Sequence, residues 1–185
     1  MRLKRENDTL VFTLSLPERR ILAHVLRELI AKYQLKPHEL DARTAAAWYS
    51  RRGCDTAGMS AEETKEWLEH LHAFKKGTCL LRLEEWKAQL DSGSVNGNDN
   101  SIILCPIPLT DPHSLRIPTD HATVFVTAIN DYRLAAAARH DIGQVEMDAH
   151  SPWQLARLPP LRQQAVLEIH FLAWIIEETL RVTEK

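Results

Sequence analysis

The chain has 185 residues, of which 44% are hydrophobic and 26% are charged, and its formal net charge at pH 7 is −2. Because non-specific nucleic-acid binding needs a basic face, this charge balance argues against a nucleic-acid partner. We expect a cytoplasmic protein outside the membrane, since no apolar run is long enough to span one and MRLKREND is not followed by a signal-peptide core.

The N-terminal residues 1–16 are predicted to form a β-hairpin. The turn-prone pair Asn7 and Asp8 is flanked by the segments MRLKRE and TLVFTL. In the second segment, Phe12 and Leu14 point to one face of the strand, which we expect to be buried.

Helices are predicted to follow the hairpin directly. Ser15 and Glu18 have the spacing of a capping box, and apolar residues then recur at helical spacing over residues 16–34. Pro37 is predicted to open a second helix, because proline is favoured in a first helical turn, and Gly53 is predicted to end it.

The centre of the chain is predicted to hold two more helices and a flexible loop. The SAEE segment at 60–63 is another capping box, and Gly77 is the predicted stop of the helix that it begins. A short helix around Trp86 precedes a polar segment, residues 91–101, which we expect to be a flexible loop. The apolar run IILCPIPL at 102–109 contains two prolines, so we expect it to be an edge strand or an extended segment that lies against the hairpin.

Two long helices are predicted in the C-terminal part. Thr119 and Asp120 are expected to cap the first, which Gly143 closes, and the second spans residues 161–182. The predicted fold is therefore mostly α, a bundle of about five to seven helices with a small N-terminal hairpin, in one domain spanning residues 1–185.

The first of these long helices carries polar residues within an apolar pattern. Arg133 falls on its apolar stripe, and Asn130 lies one turn back, where its side chain can bond the guanidinium. A buried guanidinium needs a carboxylate, and Glu168 or Glu177 of the last helix can supply one. The arrangement is either a structural network that holds the helices in register or a ligand or partner site. The candidate residues are Asn130, Asp131, Arg133, Arg139 and His140.

The last helix has two apolar stripes. The inner stripe runs from Ala165 to Leu180 and is expected to face the core. Leu167, Phe171 and Trp174 form a second stripe on the reverse side. This second stripe is covered either by another helix of the same chain or by a homodimer or protein-partner interface, where Trp and Phe are common anchors.

The sequence contains no recognisable catalytic or metal-binding motif. His70 and His72 are two residues apart, so on a helix they point to different faces, and Glu66 with His70 makes only two ligands. Three cysteines, an odd number, indicate reduced thiols rather than a disulfide framework, and Cys105 in its apolar run is expected to be an inert core thiol. We therefore predict no metal, no cofactor and no catalytic residue.

Two regions of the chain resemble an uncharacterised bacterial family, domain of unknown function 2017. LVFTLSLPERRILAHVLRELI is similar to that family's opening strand, turn and first helix, and INDYRLAAAARH followed by HFLAWIIEETL is similar to its C-terminal pattern. Residues 35–118 do not align and are longer than the corresponding part of that family. The matching positions at the C-terminal end are Asn130, Asp131, Arg133, Leu134, Arg139 and Trp174. The resemblance implies a cytoplasmic, mostly helical protein without an assigned activity, often encoded beside the adaptor that feeds substrates to the Clp protease.

Two hypotheses of function follow. The first is a non-enzymatic cytoplasmic interaction or regulatory protein, dimeric through its last helix and linked to Clp-type proteolysis by the resemblance. The alternative is an enzyme or small-ligand-binding protein whose polar pocket surrounds Arg133.

Overall fold

The computed structural model describes residues 1–50, 52–91, 113–147 and 152–184. The strands are Arg2–Glu6 (β1), Thr9–Leu14 (β2) and His113–Pro118 (β3). The helices are Leu16–Gln34 (α1), Ala42–Trp48 (α2), Arg52–Thr56 (α3), Ala61–Phe74 (α4), Leu80–Asp91 (α5), Ala122–His140 (α6), Gln144–Met147 (α7), Pro152–Leu155 (α8) and Pro160–Thr183 (α9). The prediction of a mostly helical fold with a small β element is confirmed.

The three strands form an antiparallel sheet with β2 in the centre. The predicted hairpin is present, with Asn7 at a positive φ of 54° in its turn, and Phe12 and Leu14 are buried as expected. The strand that pairs with the other edge of β2 is β3, which the sequence analysis did not predict. The predicted strand at 102–109 and residues 92–101 of the predicted loop lie outside the described residues.

Local capping signals fix the starts of two helices. α1 spans the predicted residues, and the backbone N–H of Ser15 donates to Glu18 Oε2 over 2.7 Å. At the start of α4, the N–H of Ser60 donates to Glu63 Oε2 over 2.7 Å. Both contacts satisfy N–H groups that a helix N-terminus otherwise leaves without a partner, so the capping boxes work as predicted.

The predicted bounds of the second helix are wrong. α2 begins at Ala42, and its N-cap is Asp41, whose Oδ1 accepts a 2.9 Å hydrogen bond from the N–H of Thr44. Pro37 lies in the preceding turn, and α2 ends at Trp48, well before Gly53. The start of this helix is therefore fixed by the capping Asp41 and not by Pro37.

The predicted stop at Gly77 is also wrong. A π-helical turn, Lys75–Cys79, carries the chain from α4 into α5 without a break in the helix. The turn buries the side chains of Lys75 and Cys79. Tertiary packing of these residues therefore overrides the weak helix propensity of one glycine.

α6 runs through the centre of the molecule. It packs against α9 on one side and against α1, α2 and the π-helical turn on the others. Its core contacts include Phe125, whose ring centroid lies 5.4 Å from that of Phe12 in β2 and 5.3 Å from that of Trp86 in α5. These three fully buried rings join the sheet to two helices.

The ends of α6 differ from the prediction. Thr119 and Asp120 form a 3₁₀ turn ahead of the helix and do not cap it, and His121 is the N-cap residue. At the other end, Asp141 adopts the left-handed conformation with φ 53°, so the helix stops before Gly143. Aspartate tolerates this conformation better than most residues do. Among the described residues, no helix combines the length and apolar character that crossing a membrane requires.

Candidate functional site

The polar side chains of α6 point to different sides of the helix. Asp131, nearly opposite Arg133 by helical position, is buried, whereas Arg133 is half-buried. The side of α6 that carries Asp131 is covered by α1, α2 and the π-helical turn, so Asp131 must find its partners inside the protein.

Asp131 forms a buried ion pair with Lys75 of the π-helical turn. The two side chains are 9% and 3% exposed. The hydroxyl of Tyr33 in α1 donates to Asp131 Oδ2 over 2.6 Å. The indole N–H of Trp48 in α2 donates to the backbone oxygen of Asp131, also over 2.6 Å. Asp131 therefore connects α6 with the π-helical turn, α1 and α2, four segments that are distant in the sequence.

Aromatic rings complete the surroundings of Lys75. Its Nζ lies 5.2 Å from the centroid of the Trp48 ring and 5.6 Å from that of the Tyr33 ring, within the range of cation–π attraction. Burial, followed by the charge of Asp131, raises the pKa of Tyr33 well above its ordinary value, so the phenol keeps its proton and remains a donor. Burial also raises the pKa of Cys79 to about 12, which leaves an unreactive neutral thiol at neutral pH.

Tyr49 and His72 lie at the outer edge of this region. The Tyr49 hydroxyl is 3.2 Å from His72 Nδ1. Burial, with a smaller contribution from Asp131, raises the pKa of Tyr49 to about 12. His72 also lines a cavity beside α4, so the outer edge of the buried polar cluster touches a space that a ligand can enter.

Arg133 has the partner that the sequence analysis named on its own helix. Its Nη1 donates to Asn130 Oδ1 over 3.3 Å, while its Nε is buried without a hydrogen-bond partner among the described residues. Burial lowers the pKa of Arg133, and the nearby charge of Glu177 opposes this shift. Glu168, the other carboxylate considered, acts on Tyr132 instead and contributes to the raised pKa of that phenol.

Replacing Arg133 with methionine is expected to leave the free energy of unfolding unchanged or to raise it by up to about 1 kcal/mol. Methionine keeps the unbranched apolar stem and removes a partly desolvated charge with one long hydrogen bond. Urea unfolding followed by circular dichroism measures the change. A loss of more than about 2 kcal/mol would show that Arg133 is a required structural element of the α6–α9 contact.

The remaining candidates of α6 do not join a common site. Arg139 Nη2 lies 3.5 Å from Glu28 Oε2 of α1, and both side chains are partly exposed. His140 is the half-buried last residue of α6. The five polar candidates thus separate into the buried environment of Asp131, the half-buried contact of Arg133 with Asn130, and the surface ends of Arg139 and His140.

Lys75, Tyr33 and Trp48 are the residues that the sequence analysis missed. A signal for Lys75 was present, because it follows Leu68 and Leu71 at helical spacing and so belongs to the apolar face of α4 if the helix continues. Because the helix was predicted to stop at Gly77, Lys75 in its last turn was not assigned to the buried face. Tyr33 and Trp48 carried no local sign that their polar atoms would reach a residue of α6.

The outer face of α9 carries Leu167, Phe171 and Trp174, which we call the outer stripe. Leu167 is 52% exposed and Trp174 is 39% exposed, while Phe171 is half-buried and packs against the edge of the hydrophobic core. The inner face packs on α6. Its buried residues are Ala165, Val166, Ile169, Leu172, Ile175 and Thr179. Leu180, which was expected to belong to this inner face, is 46% exposed, so that part of the prediction is wrong.

The described residues offer no obvious metal site. Within these segments, no three His, Cys, Asp or Glu side chains come together in a group that could hold a metal ion. Cys54 and Cys79 are free and buried, and Cys105 lies outside the described residues.

A family model described as domain of unknown function (DUF2017) matches residues 82–183, more than half of the chain. The chain belongs to the DUF2017 family. The search of curated proteins and the search of solved structures returned no match.

The DUF2017 match covers the elements around α6 and α9. It begins within α5 and ends with α9, so it includes Asp131, Arg133 and the outer stripe. It also includes residues 82–118, which the sequence analysis could not align, and it excludes the N-terminal stretch that resembled the family's first helix. Lys75 lies outside the match, so the buried ion pair joins a residue of the DUF2017 region to one that precedes it.

Proposed function

We propose that this protein is a non-enzymatic interaction or regulatory protein that pairs with a second copy of itself through the outer stripe of α9. The observation that carries the proposal is the exposure of Leu167 and Trp174 on the outer face of a helix whose inner face is packed on α6. Large apolar side chains grouped on one exposed helix face are typical of an interface.

The charges around the outer stripe favour a second copy in antiparallel orientation. Glu177 and Glu178 lie beyond its C-terminal end, and the uncharged Gln163 and Gln164 lie before its N-terminal end. A twofold axis near residues 170–171 would set Leu167 opposite the partner's Trp174 and the amides of the glutamines opposite the partner's carboxylates. Parallel pairing would instead set Glu177 of one copy beside Glu177 of the other, which costs energy, while the charge of Glu178 is already countered by Arg181 of its own helix. The surface is therefore self-complementary in one orientation, as a twofold interface requires.

One helix pair gives a modest interface. Stable protein–protein interfaces bury about 1,200–2,000 Å² in total, and two helices that touch through three side chains each lie at or below the low end of that range. We therefore expect a dimer whose population rises with protein concentration.

Replacing Trp174 with alanine is expected to shift the protein from dimer to monomer, because the replacement removes the largest side chain of the outer stripe. Size-exclusion chromatography with light scattering over a concentration series measures the molar mass. Trp67→Ala is the matched control, since Trp67 of α4 is 40% exposed but lies on another helix. A wild-type protein that stays monomeric at every concentration, or a Trp174→Ala variant that dimerises like wild type, would refute the proposed pairing.

The proposed link to regulated proteolysis rests on the family resemblance. It suggests a role near Clp-type proteolysis, and binding of the protein to the Clp substrate adaptor, measured by isothermal titration calorimetry, tests that role. The alternative of a polar pocket around Arg133 receives less support, because the cavity beside α4 is lined by other residues.

A further inference from the structure

We propose that the cavity between α1 and the C-terminal end of α5 binds the phosphate group of a small molecule through three arginines of α1. The cavity has a volume of about 240 Å³. Small-molecule sites commonly occupy about 300–1,000 Å³, so this space suits a phosphate group with a short body. Its described lining contains no residue of α9, so the proposal does not depend on the pairing of two copies.

The three arginines line the cavity from one face of α1. Arg19, Arg20 and Arg27 recur at helical spacing, and Ala23 lies between them. α5 packs against α1, and its last two residues also line the cavity. A concave surface that carries several charges of one sign attracts ions of the opposite sign.

Arg19 is a buried charge without a counter-ion among the described residues. Its side chain belongs to a residue that is only 8% exposed, and its Nε donates to the backbone oxygen of Leu90 over 2.7 Å. Its Nη2 donates to the same oxygen. This contact satisfies a carbonyl at the end of α5, but a carbonyl has no net charge that could balance a guanidinium. Because a buried charge is costly unless it is paired, the cavity favours an anion beside Arg19.

The carboxylate in the lining does not balance the arginines. Asp91 Oδ2 lies 2.5 Å from Nζ of Lys87 on its own helix, so these two opposite charges offset each other. Glu84, two turns before Asp91 on α5, does not line the cavity. The three guanidinium charges are therefore left over on this surface.

The two carboxylates of α1 are also engaged elsewhere. Glu18 Oε1 lies 2.5 Å from the amino group of Met1, and Glu28 Oε2 lies 3.5 Å from Nη2 of Arg139. Within the part of the chain that the structure describes, none of the three cavity arginines forms an ion pair.

This excess of guanidinium groups favours a phosphate over a singly charged anion. A phosphate monoester carries a charge of about −1.5 to −2 at neutral pH and has three strong acceptor oxygens. The planar fork of an arginine matches pairs of these oxygens. Leu16, which is exposed at the edge of the cavity, offers apolar surface to a short organic body.

Isothermal titration calorimetry with phenyl phosphate tests the proposal at about pH 8, where the phosphate is doubly charged. Benzenesulfonate is the singly charged probe of similar shape, and we expect phenyl phosphate to bind at least about tenfold more tightly because of its second charge. Inorganic phosphate identifies the source of the phosphate group, since tighter binding than phenyl phosphate indicates the free ion and weaker binding indicates an ester. Equal binding of phenyl phosphate and benzenesulfonate, or no binding of either phosphate, would overturn the proposal.

Charge-removing substitutions locate the bound probe. Arg20→Gln and Arg27→Gln are each expected to weaken phenyl phosphate binding about tenfold, because each removes a charged hydrogen-bond donor from an exposed position of the lining. Arg5→Gln is the matched control, since it removes the same charge from an exposed residue of β1 outside the lining. An equal response to the control and to the cavity substitutions would show that the probe follows the net charge of the protein and has no site here.

A built-in carboxylate gives a second test that leaves all three arginines in place. Ala23→Glu sets a carboxylate one helical turn from both Arg19 and Arg27, and we expect it to weaken phenyl phosphate binding at least about tenfold. The variant is also expected to raise the melting temperature of the protein without ligand, because it supplies the missing counter-ion. Ala23→Gln is the uncharged variant of the same size and should give no such rise. Undiminished binding by Ala23→Glu would refute the proposed site.

Discussion

Replacing Asp131 with alanine is expected to lower the free energy of unfolding by about 3–5 kcal/mol, because the change leaves the Lys75 ammonium buried without its counter-ion. The same substitution removes the acceptor of the hydroxyl of Tyr33, a buried side chain. Since a domain of this kind is stable by about 5–15 kcal/mol, the variant is expected to be marginally folded. Urea unfolding monitored by far-ultraviolet circular dichroism measures the loss.

The double variant Lys75→Met with Asp131→Asn distinguishes two contributions to the free energy of unfolding. One is the loss caused by leaving a single charge buried, and the other is the net contribution of the intact ion pair. Methionine removes the charge while keeping an apolar stem, and asparagine retains an oxygen that accepts from Tyr33. We expect this variant to recover most of the stability lost in Asp131→Ala, as is found when both members of a buried pair are neutralised together. Lys65→Met, at an exposed ion pair, is the matched control and should change stability by no more than about 0.5 kcal/mol. A loss below about 1 kcal/mol in Asp131→Ala would mean that Lys75 reaches water.

Replacing Phe125 with alanine is expected to lower the free energy of unfolding by about 3–5 kcal/mol, because it opens a cavity where α5, α6 and the sheet meet. Phe125 contacts the rings of Phe12 and Trp86, and all three are fully buried, so the neighbouring side chains can collapse only partly into the space. Thermal unfolding followed by circular dichroism measures the loss of stability.

Two further variants test whether the loss of stability in Phe125→Ala comes from a cavity in the core. Phe125→Leu keeps most of the apolar volume and is expected to cost about 1–2 kcal/mol, so the difference from alanine reports the cavity. Phe74→Ala is the surface control, because Phe74 is partly exposed on α4 and its removal leaves no closed void. If Phe125→Ala were no more destabilising than Phe74→Ala, the three-ring contact would not be a centre of the core.

Short-range patterns were enough to predict much of the secondary structure. The hairpin turn, the bounds of α1 and the capping boxes at Ser15 and Ser60 depend on residues at most a few positions apart. The inner face of α9 was predicted only in part, because Val166, Ile169 and Leu172 are buried as expected, whereas Leu180 is exposed. Errors occurred at Pro37, where a capping aspartate four residues later begins the helix, and at Gly77, where packing continues it.

The sequence by itself determined that the protein is mostly helical and where α1 and α9 run, because local hydrogen bonds and the 3.6-residue period act over a few residues. Only the tertiary structure decided that Asp131, rather than Arg133, holds the deeply buried charge of α6, and that β3 completes the sheet. A helix with apolar residues on most sides does not reveal which neighbour covers which face. The polar partners of Asp131 come from segments that are distant in the sequence, and only folding of the chain brings them together. They are Tyr33, Trp48 and Lys75.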